Sequence, residues 1–187
     1  MTTIVPKVFV IESLPLPRHR IIYLAIERYT NFSNAMIECQ PNVLSWNYTM
    51  QGDGIDAGLR FNWAGESGRF KLNGQLYTIK KSGFVTPTWE LIKEDKVCAE
   101  ASKISMLRRG FEIKLQSGAM ELSAKSAFGR TMLLSGMGCQ ARIKPAHAFT
   151  RRVQISGSYP DPETIVFAFW LCALIWRRNA NHAAACP

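Results

Sequence analysis

The feature that most constrains the fold of this chain is a run of twelve apolar residues near its C-terminus, Ile165 to Trp176. Pro160-Asp161-Pro162-Glu163 precedes the run, and Arg177-Arg178 follows it. Aspartate is a good N-cap, proline suits the first helical position, and glutamate complements the positive end of a helix. A helix that is apolar on every side must be buried on every side. The rest of the chain is therefore expected to surround it.

The same run is shorter than a typical membrane-spanning helix. Its twelve residues would rise about 18 Å, whereas the hydrocarbon core of a bilayer is about 30 Å thick. Acidic residues limit it on one side and Arg177 limits it on the other. We therefore expect a buried core helix and no transmembrane span. Arg177 and Arg178 then complement the negative end of the helix dipole or, alternatively, lie at lipid headgroups.

The segment before this helix has the pattern of successive antiparallel strands. Asn73-Gly74 supplies the two positive-φ residues of a type I′ turn between Phe70–Leu72 and Gln75–Lys80, which predicts a hairpin. Glu94-Asp95-Lys96 and Ser117-Gly118 are further predicted turns. The other predicted strands are Met36–Cys39, Leu44–Met50, Ile55–Trp63, Thr88–Lys93, Val97–Lys103, Phe111–Leu115, Ala119–Ser123, Thr131–Leu134, Gln140–Ile143 and Phe149–Ile155.

These elements together predict a mainly β protein, a closed antiparallel β-barrel around a buried hydrophobic C-terminal helix. A long meander closes on itself to remove its exposed edges. The 187 residues are expected to form one domain, with an N-terminal extension or first elements over 1–34, barrel strands over 35–160 and the central helix over 161–180. In the N-terminal part, Val8–Ile11 is a short apolar stretch, and Ile21–Tyr29 fits either a helix or a strand.

The chain is basic, with a formal net charge of +9. Such a charge favours polyanionic partners: an anionic membrane surface, an acidic protein or nucleic acid. Nucleic acid is the less favoured partner, because the aromatics Tyr77, Trp89, Phe111 and Phe149 lie in alternating strands and are expected to point inward. The alternative is that these charges are simply solvated. The candidate residues for binding an anion or a lipid headgroup lie at or near predicted strand ends and are Lys80, Lys81, Arg108, Arg109, Arg142, Lys144, Arg151 and Arg152.

No strong catalytic, metal or cofactor motif is present. The three histidines, His19, His147 and His182, lie too far apart in sequence to suggest a metal site. Cys139 paired with His147 across a turn remains a weak nucleophile candidate. The chain has five cysteines, an odd number without C-x-x-C spacing, and its N-terminus lacks the pattern of a signal peptide. We expect a cytoplasmic protein, with or without peripheral attachment to a membrane, and no cofactor.

The order of these elements resembles the tubby C-terminal-like fold, which includes the LURP-one-related proteins and the phospholipid scramblases. The segment Gly74-Gln75-Leu76-Tyr77-Thr78-Ile79, followed by Trp89-Glu90-Leu91, is similar to the early strands of the LURP-one type. The later strand pair and the terminal apolar helix follow in the expected order. The resemblance covers residues 35–180 and rests on pattern. The lysines and arginines through which tubby proteins contact lipid cannot be matched position by position.

The resemblance implies binding rather than catalysis. Tubby proteins bind phosphoinositides through basic residues on the barrel surface, and scramblases act at lipid membranes. We therefore expect a non-enzymatic barrel that binds anionic lipid headgroups or an acidic partner. Two alternatives remain: a barrel that holds a small apolar ligand, and an enzyme that depends on Cys139.

Overall fold

A computed structural model describes residues 36–83, 85–105 and 108–185. These residues form twelve β-strands followed by an α-helix. The predicted elements Val8–Ile11 and Ile21–Tyr29, with the whole extension 1–34, lie outside the described residues. The strands are β1 Met36–Pro41, β2 Tyr48–Gly52, β3 Ile55–Phe61, β4 Gly68–Leu72, β5 Gln75–Ser82, β6 Thr88–Lys93, β7 Lys96–Lys103, β8 Gly110–Leu115, β9 Gly118–Ala124, β10 Met132–Gly136, β11 Cys139–Pro145 and β12 Val153–Gly157, and the helix is α1 Pro162–Ala185.

The twelve strands form one closed antiparallel barrel, so the predicted fold class is confirmed. Each strand pairs with its neighbours in sequence, and β1 pairs with β12 to close the sheet. At this closure Ile37 lies opposite Ile155, and Cys39 lies opposite Val153. Burial alternates along the strands, as in β3, where every second residue is buried from Ile55 to Leu59. Apolar side chains therefore line the interior, and polar ones cover the outside.

The two ends of the barrel differ in their connections. Two-residue turns close one end, which we name the turn end; Asn73 and Gly74 there have φ of 47° and 89°, as the predicted hairpin requires. Loops of five to seven residues close the other end, which we name the loop end. The turns are 53–54, 73–74, 94–95, 116–117 and 137–138, and the loops are 42–47, 62–67, 83–87, 104–109, 125–131 and 146–152.

The helix α1 occupies the interior of the barrel. Residues 164–176 are all buried, and Ile165 to Leu174 are 0% exposed. The ring of Phe169 contacts that of Tyr48 on β2 edge-on, with centroids 5.0 Å apart. On another side, the guanidinium of Arg130 lies 5.5 Å from the ring of Trp176. The prediction that this segment is enclosed by β-structure is confirmed.

The helix begins where the sequence predicts. A carboxylate oxygen of Asp161 accepts a 2.7 Å hydrogen bond from the backbone N–H of Thr164, and the other accepts a 2.9 Å bond from its hydroxyl. Asp161 is therefore the N-cap, with Pro162 at the first helical position. Glu163, in the first turn, accepts a 3.0 Å bond from the hydroxyl of Tyr77 on β5. These contacts anchor the start of α1 at the turn end.

Several predicted boundaries are wrong. The predicted strand Leu44–Met50 begins only at Tyr48, and Leu44 is 94% exposed in a loop. The predicted strand Phe149–Ile155 begins only at Val153, and Phe149 is 100% exposed rather than inward-facing. Both errors have the same cause: an apolar residue in a loop has the same local pattern as the start of the following strand.

Three smaller shifts are that β3 ends at Phe61, that Gly118 opens β9 instead of lying in the turn, and that α1 continues to Ala185.

Among the described residues, no helix combines the length and apolarity needed to cross a bilayer.

Candidate functional site

Charge differs between the two ends of the barrel, although Lys93 and Lys96 flank the acidic turn 94–95 at the turn end. Lysine and arginine occur in three of the six loops, 104–109, 125–131 and 146–152, and in the part of α1 that leaves the core. Among the described residues of the six loops and this part of α1, Glu66 is the one acidic residue. Two of the five turns, 53–54 and 94–95, and the helix entry carry acidic residues. The cations of the loop end are Arg108, Arg109, Lys125, Arg130, Arg151, Arg152, Arg177 and Arg178, and the acids of the turn end are Asp53, Glu94, Asp95, Asp161 and Glu163. The loop end is therefore the candidate site for an anionic partner.

Arginines at the loop end hold neighbouring loops together. Arg109 donates two 2.7 Å hydrogen bonds to carbonyl oxygens of loop 125–131. Arg130, within that loop, donates bonds of 3.2 and 3.0 Å to carbonyls of loop 146–152. A planar guanidinium can bridge two or three acceptors at once, which a lysine ammonium cannot do with the same geometry.

The same arrangement continues around the rim. Arg151 donates bonds of 2.8, 2.8 and 3.2 Å to three carbonyls of loop 42–47. Arg177 donates bonds of 3.0 and 2.6 Å to carbonyls of loop 62–67, which ties that loop to the helix. We name Arg109, Arg130, Arg151 and Arg177 the arginine clasps. Because carbonyls are neutral, the clasps order the loops and still keep their positive charge.

Glu66 is at the centre of an ion-pair network in loop 62–67. Its carboxylate lies 2.7 Å from the ammonium of Lys81 and accepts a 2.5 Å hydrogen bond from Arg178. Its backbone carbonyl accepts a 3.0 Å bond from the indole of Trp89. Burial raises the pKa of Glu66, but the hydrogen bonds and charges of Arg178 and Lys81 outweigh that effect and lower the pKa to about 2. The carboxylate is therefore ionised at neutral pH and holds α1 against the rim.

A cationic cleft lies between the end of α1 and loop 104–109. It has a volume of about 200 Å³, and its ionisable lining is entirely basic or histidine. Partial burial and the nearby charge of Arg178 lower the pKa of Lys103 there. An anion in this cleft would relieve that repulsion. The ionisable residues lining it are Lys103, Arg108, Arg109, Arg178 and His182.

The structure brings some of the predicted site residues together and separates others. Five of them, Lys81, Arg108, Arg109, Arg151 and Arg152, lie at the loop end. Lys144 is exposed one residue before the end of β11, next to that rim. Lys80 and Arg142 instead point outward from the wall of the barrel, where Lys80 lies opposite Glu90 and Arg142 lies opposite Ser156. Among the loop-end residues, Arg109 and Arg151 serve as clasps, and Lys81 pairs with Glu66.

Sequence reasoning misses part of the cationic end. Lys103, Lys125, Arg130 and His182 are not among the predicted site residues. Arg177 and Arg178 are predicted as charges at the helix terminus or, alternatively, at lipid headgroups, but not as part of the basic site. The signal that could have found them is the alternation of connections, because every second connection is a long loop and therefore lies on the same end of a meander barrel. Assigning the charged residues of each connection to one end of the barrel would have shown that the two ends differ in charge.

The structure separates the two residues of the catalytic pair that the sequence suggests. The predicted pairing of Cys139 with His147 across a turn is wrong: Cys139 begins β11 at the turn end, and His147 follows its other end in loop 146–152. The strand between them spans about 20 Å. The described residues also contain no cluster of three or more His, Cys, Asp or Glu side chains that could hold a metal. An apolar ligand would have to lie inside the barrel, where α1 is packed.

Comparison with known proteins does not assign a family. A scan against protein-family models, a search of curated proteins and a search of solved structures each found no match.

Proposed function

We propose that this protein is a non-enzymatic, tubby-like barrel that attaches to anionic membrane surfaces through its loop end. The observation that carries the proposal is the charge separation between the ends of the barrel. The side chains of Arg108, Lys125 and Arg152 are exposed at the loop end and make no ion pair or hydrogen bond with other described residues, although their backbones do. Each lysine or arginine near an anionic membrane contributes about 1 kcal/mol, so a few of them give useful binding that weakens with salt.

The acidic residues of the turn end would orient the barrel relative to the membrane. An anionic surface repels Asp53, Glu94 and Asp95 and attracts the opposite end, so the barrel would approach with its axis roughly normal to the membrane. The cationic cleft beside α1 would then face the headgroups. The resemblance to tubby-like barrels, whose basic surface residues bind phosphoinositides, supports binding to anionic lipid. The proposal places the protein in the cytoplasm, peripheral at a membrane.

Vesicle flotation tests the proposal. We expect the full chain to float with vesicles that contain phosphatidylserine and not with pure phosphatidylcholine vesicles. Binding should be strong near 0.1 M salt, where the Debye length is about 10 Å, and largely lost near 1 M, where it is about 3 Å. Flotation that is independent of anionic lipid would reject the membrane assignment. Binding to an acidic protein instead would give no flotation with either vesicle.

A matched pair of charge reversals locates the contact. Arg108→Glu with Arg152→Glu reverses two exposed cations of the loop end, and Lys71→Glu with Lys96→Glu reverses two exposed cations near the turn end. The net charge of both variants changes equally. We expect the loop-end variant to lose at least about tenfold in affinity and the control to lose much less. Equal losses would mean that only total charge matters, and the assignment to the loop end would be wrong.

A further inference from the structure

Exposed apolar side chains concentrate at the same end of the barrel as the unpaired cations. Every loop of the loop end carries at least one large apolar residue that is exposed. The three exposed aromatic residues among the described residues, Trp63, Phe128 and Phe149, are all in these loops and are 88%, 99% and 100% exposed. The loop-end apolar residues are Val43, Leu44, Trp63, Val85, Ile104, Phe128 and Phe149.

The clasps bind the backbone on either side of two of these exposed aromatic residues. Phe128 lies between the two carbonyls, Ser126 and Gly129, that Arg109 holds at 2.7 Å. Phe149 lies between the two carbonyls, Ala148 and Thr150, that Arg130 holds. A loop whose backbone is held on both sides of an aromatic residue keeps that side chain outward and cannot easily fold it back onto the barrel.

We infer that these loop tips insert into the interfacial layer of an anionic bilayer, a step that rests on the proposed membrane attachment and adds an apolar component to it. Cations next to exposed aromatics match the chemistry of that layer, where aromatic rings lie at the headgroup level and basic residues meet the lipid phosphates. Surfaces of this kind gain affinity from both buried apolar area and charge. We name Trp63, Phe128 and Phe149 the insertion tips.

The arrangement fits a lipid surface better than a protein partner. Protein interfaces have an apolar centre and a polar rim. Here the order is reversed, because the centre holds the exposed polar end of α1, with Asn179, Asn181 and His182, and the apolar residues lie on the surrounding loops. Neighbouring loops are separated by two strands, or about 10 Å, so the tips form separate points and not one patch. The chain has no acidic residue after Glu163, so the end of α1 does not repel anionic headgroups.

Trp63 is a built-in reporter of insertion. Trp89, Trp170 and Trp176 are buried in the core, and Trp46 is half-buried. The full chain would be tethered by an N-terminal histidine tag to phosphatidylserine vesicles that contain a nickel-chelating lipid, so contact does not depend on affinity. We expect lipids brominated on their acyl chains to quench wild-type fluorescence and to have little effect on Trp63→Phe. Equal quenching of the two proteins would overturn the inference.

Affinity gives a second, independent measurement. Phe128→Ser with Phe149→Ser removes two insertion tips, and Leu76→Ser with Val97→Ser removes two exposed apolar residues outside the loop end, which are 53% and 49% exposed. We expect the first variant to bind untethered anionic vesicles about tenfold more weakly, with an unchanged dependence on salt, and the second to bind like wild type. Circular dichroism would verify that both remain folded.

The outcomes separate the inference from the proposed function. Salt-sensitive flotation of wild type without any loss in the Phe128→Ser, Phe149→Ser variant, and without quenching of Trp63, would leave electrostatic attachment standing and reject insertion. Absence of flotation together with quenching in the tethered protein would reject electrostatic attachment and retain insertion. Absence of both would reject both.

Discussion

Gly68 at the start of β4 packs closely against Trp170 of α1, so that a side chain at position 68 would meet both this indole and the backbone of Arg60. A Cβ atom on Gly68 would lie 3.0 Å from the indole nitrogen of Trp170 and 2.5 Å from the carbonyl oxygen of Arg60. The same indole stacks on Phe61 of β3, with ring centroids 4.8 Å apart and planes within 6°. These contacts fix the position of α1 against β3 and β4 at the point where loop 62–67 connects the two strands.

We expect Gly68→Ala to destabilise the protein by about 1–3 kcal/mol, because the added methyl forces either the strand or the helix to shift. The measurement is the free energy of unfolding from denaturant titration. Gly58→Ala is the matched control, since Gly58 is also a strand glycine and no atom lies within 4 Å of the position that its added methyl would take. The control should be neutral or slightly stabilising. Equal effects of the two substitutions would contradict the close packing of Gly68 against Arg60 and Trp170.

The barrel and its central helix could be predicted because their signals are local. Asn73-Gly74 specifies a hairpin through its backbone conformation, and the Asp161 cap with the following apolar run specifies a buried helix. The predicted strand starts at Leu44 and Phe149 are wrong because an exposed apolar residue in a loop has the same local pattern as the first inward residue of a strand. Hydrophobic periodicity does not show which apolar loop residues are kept exposed by contacts with residues distant in sequence.

The candidate site was only partly predictable, for a related reason. Paired arginines such as Arg108-Arg109 and Arg151-Arg152 are visible in the sequence as charge clusters, but the different roles within each pair depend on distant partners. Arg151 reaches carbonyls more than a hundred positions earlier in the chain, whereas Arg152 is exposed. Only the closed meander, with β1 beside β12, brings those loops together.

Because Arg151 binds three carbonyls, we expect that a positive charge alone at this position does not hold loop 42–47 in place. We expect Arg151→Lys to destabilise the protein by about 1–3 kcal/mol, because lysine cannot bond three carbonyls of loop 42–47 in the fork geometry of a guanidinium. Amide hydrogen exchange in that loop should accelerate. Arg152→Lys keeps the same charge at the exposed neighbour and should change neither measurement. If both substitutions behave alike, Arg151 does not order the loop.

The ion-pair network of Glu66 predicts a contribution to stability that depends on pH. Its pKa is lowered in the folded protein, from about 4.5 to about 2, so the contribution is complete above about pH 5 and is lost as the pH falls toward 2. A shift of this size corresponds to at most about 3 kcal/mol for a side chain that is 23% exposed. Denaturant titrations across this pH range would measure it.

The comparison that isolates Glu66 uses a neutral isostere. Glu66→Gln should be less stable than wild type at neutral pH, and the difference should shrink on acidification because the wild-type carboxylate becomes protonated as well. Glu112→Gln is the control: its carboxylate is 48% exposed and lies 3.8 Å from Lys114, a surface pair of little energetic value. A Glu66→Gln deficit that stays constant down to pH about 2 would show that the pairing with Lys81 and Arg178 is not its cause.

The enclosed helix predicts that two thiols are inaccessible in the native protein. Cys172 of α1 and Cys39 of β1 are 0% and 1% exposed, and burial raises the pKa of both. Because alkylation requires the thiolate and access to it, both should react only when the barrel opens. Cys98 and Cys139 are partly exposed and serve as internal controls. Peptide mapping after timed alkylation would measure each rate, and modification of Cys172 as fast as that of Cys98 would mean that α1 leaves the barrel under native conditions.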